Sequence, residues 1–395
     1  MKIDVLTPWD QVCGNAEFAK RLYSGISSYA VVEPVELQNL DKHPTLNNKY
    51  QIGEHFRKIA IAINSGESDL VHIQHEFTFF GRAIEESNYF FHGLVSEIKK
   101  PIIVSLHTWN KNLWNPSPST SDSHHFALRH TKSISKLINI ALPAIPLPFA
   151  QRSTSQKRNK KVDPKHILLR EALGISKSIV LHADHTAEQL LKIWPRLAAK
   201  TVTIPFPVEK HAVNNAASQW RKPCGTKWIV LPGFITPYKG HLDAIKALSL
   251  LHKNYTLVFA GDIHPKNHNP YPYIKSLLAA IDELKLSNRV LFTGYINDSE
   301  QQSLLFRQAD VFILPYSEVG QSASAVLADV LAYNKPVVTS KSHPMYAYRK
   351  KFDCLYSSRA VDVSSPQIFA EAISTPDTWA EESHRLAVIS SHSLD

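Results

Sequence analysis

The feature that most restricts this chain is an alternation that runs along it, stops once and starts again. Short, near-continuous apolar runs rich in β-branched residues are separated by longer amphipathic stretches. Residues 2–7, 70–74, 102–106, 179–182 and 202–204 read as strands, with helical stretches at 17–27, 56–64 and 186–193 between them. Apolar strands alternating with helices indicate a parallel sheet covered on both faces. Between residues 206 and 225 the pattern fails, because "PVEKHAVNNAASQWRKPCG" is polar, holds two prolines and has no sustained period. Such a stretch connects domains. Strands at 228–231, 256–260, 290–293, 311–314 and 336–339 then alternate with helices at 241–251, 273–285 and 299–308, and with a further helix inside 315–338. The expected architecture is α/β, with two successive doubly wound domains and a ligand cleft facing the carboxyl ends of the strands.

Composition excludes several alternatives. With 395 residues the chain exceeds one ordinary core, and 44% hydrophobic with 20% charged residues describes a globular protein. No run of about 18 apolar residues is present, so no spanning helix is expected. The start, MKIDVLTPWD, lacks the apolar run of a signal peptide. Three cysteines, Cys13, Cys224 and Cys354, lie far apart and fit a reducing cytoplasm. A net charge of +9 favours acidic partners such as nucleotides, phosphorylated sugars or anionic lipid. No nucleic-acid motif accompanies that charge. Arg152, Lys157, Arg158, Lys160, Lys161 and Lys165 crowd one polar stretch, which reads first as a solvated loop and second as a patch for an anionic membrane or acidic acceptor. The groups His124, His125, His130 and His72, His75, Glu76 match no metal-ligand spacing, and no metal site is expected.

Two stretches carry chemistry. In "GFITPYKGHLDAIKALSLL" a strand ends, a Gly/Pro turn follows, and Lys239 with Gly240 stands at the mouth of a helix, where a cation can neutralise phosphate oxygens. Standing alone, Lys239 also reads as a surface lysine beside a turn, and His107 as a histidine capping a strand end. In "PYSEVGQSASAVLADVLAYNKPVV" the turn from Ser317 to Ser324 is rich in hydrogen-bonding groups and poor in bulk, while Val326, Leu327, Val330 and Leu331 form an apolar helix face.

Taken with "LVFAGD", "VLFTGYINDSEQQSLLFRQADVFILPYSEVGQ", "CGNAEFAKRL", "DLVHIQHEF", "VSLHTW" and "VTIPFPV", these segments stand in an order that resembles the retaining family-4 glycosyltransferases of GT-B fold along nearly the whole chain. The resemblance implies two Rossmann-like domains facing each other across a cleft. It divides the chain into an acceptor domain at 1–207, a linker at 208–226, a nucleotide-sugar domain at 227–377 and a terminal helix at 378–395 that crosses back. It implies transfer of a sugar from a UDP-, GDP- or ADP-sugar to a hydroxyl of a glycan or lipid-linked acceptor, with retention and without a metal or other cofactor.

Residue by residue, Lys239 matches the lysine on the donor diphosphate and His107 a histidine beside the donor sugar. Gly14 matches the glycine-containing first loop, and Gly294 with Tyr295 the loop whose backbone meets the base. Gly233, Gly320, Ser322, Ala323 and Ser324 would let the donor approach. The family's paired glutamates correspond to Gln321, toward the donor sugar, and Asp329, toward the ribose, with Glu318 just upstream of the motif's register. An arginine common in relatives is Phe234 here, and Asn334 stands where glycine usually ends the helix. These departures keep open a second expectation, a GT-B protein of weak or no activity that binds nucleotide-sugar or glycan as a scaffold. A phosphorylase or a sugar-nucleotide epimerase on the same fold is a further alternative; a phosphorylase would consume free phosphate and need a cofactor lysine, for which no motif is present.

Overall fold

Every strand pair in the computed structural model of the protein is parallel, and the strands form two six-stranded sheets. The structure describes residues 1–10, 14–37, 40, 45–108, 166–206, 218–263, 269–317, 323–333, 335–342, 344–345 and 358–375.

The first sheet has the order β2-β1-β3-β4-β5-β6, built from β1 (Lys2–Thr7), β2 (Val31–Glu36), β3 (Leu70–His75), β4 (Ile102–Leu106), β5 (Ser178–Leu181) and β6 (Thr201–Thr203). Its helices are α1 (Gly14–Gly25), α2 (Lys49–Ser65), the single turn α3 (Phe77–Phe80), α4 (Ile84–Glu97), α5 (Ile167–Ile175) and α6 (Asp184–Ile193). The second sheet has the order β12-β11-β10-β7-β8-β9, from β7 (Lys227–Pro232), β8 (Tyr255–Ala260), β9 (Val290–Phe292), β10 (Val311–Leu314), β11 (Val337–Ser340) and β12 (Ser358–Val361). Helices α7 (His241–Leu250), α8 (Tyr271–Glu283), α9 (Ser299–Arg307), α10 (Ala325–Leu331) and α11 (Pro366–Ser374) accompany it. Counted from β7, this is the Rossmann strand order, and its switch point lies between β7 and β10, where the loops leaving adjacent strands diverge to opposite faces.

Strand burial explains the apolar runs. Along β7, Trp228 and Val230 belong to the core on one face of the sheet, Ile229 and Leu231 to the core on the other. A strand covered on both sides has no polar alternation. The two strands that sequence reading missed are edges: β2 reads VVEPVE, has no buried residue, and carries Pro34, while β12 terminates the second sheet. An edge strand needs neither a continuous apolar run nor every backbone donor. The elements predicted at 179–182 and 202–204 begin one residue earlier in the structure, within the ordinary disagreement at strand ends. Residues 218–226, from the predicted linker, form no helix or strand. The basic stretch with Arg152 and Lys165, His124, His125 and His130, Asn334 and the predicted terminal helix lie outside the described residues.

The first core is organised on aromatic rings. Phe80 is fully buried, with its ring 5.5 Å from Phe56, 5.3 Å from His75 and 5.0 Å from Phe91, all measured between centroids. Removing it would leave a cavity shared by β3, α2 and α4. Phe80→Ala is therefore expected to cost about 3–5 kcal/mol in urea-induced unfolding, and a change below about 1 kcal/mol would contradict this packing.

Candidate functional site

The site grows from the end of β7. Gly233 adopts φ +100 and its amide donates to the carbonyl of Ala260 at 2.9 Å; the Ile235 amide then donates to the carbonyl of Asp262 at 2.8 Å. The chain turns through a 3-10 segment, Pro237–Lys239, and Gly240 at φ +73 starts α7. Both glycines are favoured by backbone angle, and Gly240 is required by backbone contact as well. A Cβ on Gly233 would strike the Lys239 ammonium, and one on Gly240 would strike the carbonyl oxygen of Pro315 at the end of β10. The missing side chains bring the loops after β7 and β10 together at the switch point.

Lys239 is consequently almost sealed, at 4% exposure. Its Nζ donates to the Tyr316 hydroxyl at 3.0 Å and lies 3.5 Å from the Pro232 carbonyl oxygen, 4.9 Å over the centroid of the Tyr316 ring. Burial pulls its pKa down to about 7. The surrounding groups are neutral. Burial holds the Tyr316 phenol well above its ordinary value, so it stays protonated, and burial together with Lys239 lowers the adjacent His241 to about 3. Among the described residues no carboxylate pairs with Lys239. Sequence reading placed this lysine at the helix mouth; the depth of its burial, which depends on Tyr316 and the two glycines, was not visible there.

The remaining predicted residues fall into three groups. Phe234 and Tyr295 stand past the ends of β7 and β9, on either side of β8, with rings parallel to within 5° and centroids 6.1 Å apart, and Gly294 adopts φ +72 beside Tyr295. An aromatic face thus occupies the position where an arginine was expected. Ala323 is buried, and Ser324 caps α10 by accepting from the Leu327 amide at 3.1 Å. Glu318, Gly320, Gln321 and Ser322 lie outside the described residues. In the first domain, a Cβ at Gly14 would meet nothing within 4 Å, so no internal packing demands glycine there.

Asp329 has a partner that sequence reading missed. It accepts from Arg21 Nη1 at 3.1 Å, and the two side chains are 14% and 24% exposed. The pair joins α1 of the first domain to α10 of the second. Arg21 was inside a quoted segment, yet nothing local marks a partner 308 residues away. Of the apolar face predicted for this helix, Leu327, Val330 and Leu331 are buried, but Val326 is half-buried and faces Gly233.

His107 follows β4 and is buried, with its amide donating to the His75 carbonyl at 3.2 Å. Its Nε2 is 2.6 Å from Gln74 Oε1. Its ring stacks on His182, at 4.9 Å between centroids, and meets Phe18 edge-on at 5.0 Å. Burial, reinforced by His182, His72 and His75, keeps it neutral far below the usual range. Phe18 belongs to one apolar cluster with Tyr316 and Ala323, so the surroundings of His107 and of Lys239 are continuous across the cleft. His72 and His75 are core residues, and no cluster of three metal-ligating side chains occurs among the described residues.

These features agree with the relationships of the chain. Residues 214–374 match the family Glycosyl transferases group 1. No curated protein matches the sequence. Among solved structures, the chain is similar to Anabaena Alr3699/HepE in complex with UDP, at 15% identity and TM-score 0.61, covering 100% of this chain and 96% of that one. It is also similar to sucrose-phosphate synthase from Thermosynechococcus elongatus, at 13% identity and TM-score 0.68, covering 100% and 95%. A third likeness is to the E. coli structure described as trehalose-6-phosphate bound with UDP-2-fluoro glucose, at 10% identity and TM-score 0.63, covering 100% and 96%. The fold is GT-B, with two Rossmann-like domains. No helix among the described residues is long and apolar enough to cross a membrane.

The glycine at the junction of the two loops gives a direct check. Gly240→Ala must relieve both a left-handed backbone and a clash with Pro315, and is expected to destabilise the protein by about 1–3 kcal/mol in chemical denaturation. An unchanged unfolding midpoint would contradict the close approach of the two loops.

Proposed function

We propose that the protein is a retaining glycosyltransferase that moves a sugar from a nucleotide-sugar to a hydroxyl of a glycan or lipid-linked acceptor. One observation carries this reading: Lys239 is buried at the switch point of the second domain, and among the described residues its partners are all neutral. A desolvated cation without a counter-charge is costly, and an arriving diphosphate would supply the missing charge. The ligands of similar structures, UDP, UDP-glucose and UDP-2-fluoro glucose, support a UDP-sugar as donor.

In this reading the second domain holds the donor. Lys239 neutralises the β-phosphate as the bond from the anomeric carbon to the phosphate oxygen breaks and the electron pair leaves with that oxygen. The acceptor oxygen attacks the same face, and its proton passes to the departing phosphate. No side chain forms a covalent bond to the sugar and no metal takes part. Gln321 contacts the donor sugar, Asp329 the ribose, and His107 lies beside the anomeric carbon. Asp329 meets the ribose by exchanging or sharing its contact with Arg21. The acceptor is a growing surface polysaccharide or lipid-linked glycan, met at the cytoplasmic face of a membrane.

Phe234, in place of a phosphate-binding arginine, favours a second reading in which the same site binds a nucleotide-sugar without turnover. The two are separated by following donor hydrolysis and transfer across UDP-, GDP- and ADP-sugars with glycan acceptors present. Slow hydrolysis of one donor supports the enzyme; binding without turnover supports the scaffold. For the enzyme, Lys239→Ala is expected to lower turnover by about 10²–10³-fold with no loss of folding stability, since a desolvation cost is removed. Unchanged transfer by that variant would overturn the assignment.

A further inference from the structure

Behind His107 runs a chain of buried polar side chains that the proposed chemistry does not use. Ser105 Oγ is 2.8 Å from His72 Nε2, and His72 Nδ1 is paired with the Tyr23 hydroxyl. Gln74 Nε2 donates to the Tyr23 oxygen at 3.3 Å, and Gln74 Oε1 lies 2.6 Å from His107 Nε2. His72 and Gln74 stand on β3, Ser105 faces Gln74 in register on β4, and Tyr23 reaches in from α1. All five residues are buried.

The protons in this chain are determined by one another. Burial holds the Tyr23 phenol well above its ordinary value, so it keeps its single proton. Because its oxygen accepts from Gln74, that proton goes to His72 Nδ1. His72, lowered to about 3 by burial and by His182, is neutral, so its one ring proton sits on Nε2 and faces Ser105. At the other end, an amide whose nitrogen is committed to Tyr23 offers only its carbonyl oxygen to His107. A carbonyl oxygen can only accept. We propose that Gln74 is a positioning residue that fixes His107 as the Nε2–H tautomer, with the lone pair of the ring on Nδ1.

This rests on the reading that His107 lies at the reacting centre and adds what it does there. A neutral ring held in this tautomer cannot protonate a leaving group through Nδ1. It accepts from a sugar hydroxyl, which suits a reaction whose proton ends on the departing phosphate. Reversing the tautomer would require Gln74 to rotate and every proton in the chain to turn with it, so the arrangement behaves as one cooperative unit. The other ionisable groups that bear on His107 are His182, stacked on it, and His72 and His75 on β3.

The test uses the full chain labelled with 15N-histidine. The His107 ring is assigned by its loss in His107→Gln, and its tautomer is read from long-range 15N–1H correlations, which differ between the two neutral forms. The expected result is an Nε2–H ring in the wild type; an Nδ1–H ring, or a mixture, would overturn the proposal. In Gln74→Glu a carboxylate faces Nε2, and the ring's pKa is expected to rise by about 1–3 units. The acid limb of the pH–rate profile for donor turnover should move upward with it. A purely structural role would lower stability and scale the rate equally at all pH values, and that outcome would also overturn the proposal. The tautomer is read without turnover. An Nε2–H ring in a protein that transfers no sugar would uphold the relay and refute the glycosyltransferase reading, while an Nδ1–H ring in an active enzyme would do the reverse.

Discussion

The rest of the structure depends on a lysine held out of water at the switch point of the second sheet. Burial of Lys239 costs folding free energy unless an anion arrives, and the fold uses two left-handed glycines and a neutral phenol to keep it there. Gly233 removes the side chain that would displace the ammonium, Gly240 admits the carbonyl of Pro315, and Tyr316 accepts from Nζ without contributing charge. The arrangement makes sense as preorganisation, in which the site carries a desolvation cost before the ligand binds.

The second constraint is the contact between the domains. Phe18 on α1 touches His107, His182 and Phe206 through its ring and belongs to the same apolar cluster as Tyr316. Arg21, one helical turn further, reaches Asp329. One helix of the first domain therefore carries both a member of the apolar cluster that continues into the second domain and an ion pair with Asp329. Anything that changes the environment of Asp329 acts on this contact, which links occupancy of the second domain to the placement of the first.

Much of the fold was legible because its central strands are buried on both faces. Apolar runs such as VLTP, IIVSL and WIVLP fit little besides a central strand, and the break before residue 226 separated the two sheets. The edges β2 and β12 were not legible, since an exposed strand with Pro34 has no apolar run to display. In the site, the Lys239–Gly240 pair was visible as a phosphate-type turn, and His107 as the residue past a strand. The relay through Gln74, Tyr23 and His72 was not, because its members stand on different elements and look like ordinary core residues in isolation. Arg21 with Asp329 failed for the same reason: long-range pairing leaves no local periodicity. Phe234 was visible only as a departure, and the structure adds that its ring lies parallel to that of Tyr295.

The proton that Lys239 exchanges offers the most direct test. With a pKa of about 7 in the free protein, the amine is mostly neutral near pH 8 and mostly charged near pH 6. A bound diphosphate raises that pKa toward the ordinary lysine range of about 10, so binding at the higher pH must draw a proton from solution. Calorimetric titration of UDP into the full-length protein, repeated in buffers of different ionisation enthalpy, counts those protons. Uptake approaching one proton per UDP at about pH 8, falling toward zero at about pH 6 and absent in Lys239→Ala, is the predicted result. UDP binding with no proton uptake at the higher pH would contradict the claim that this buried lysine is the charge awaiting the donor's diphosphate.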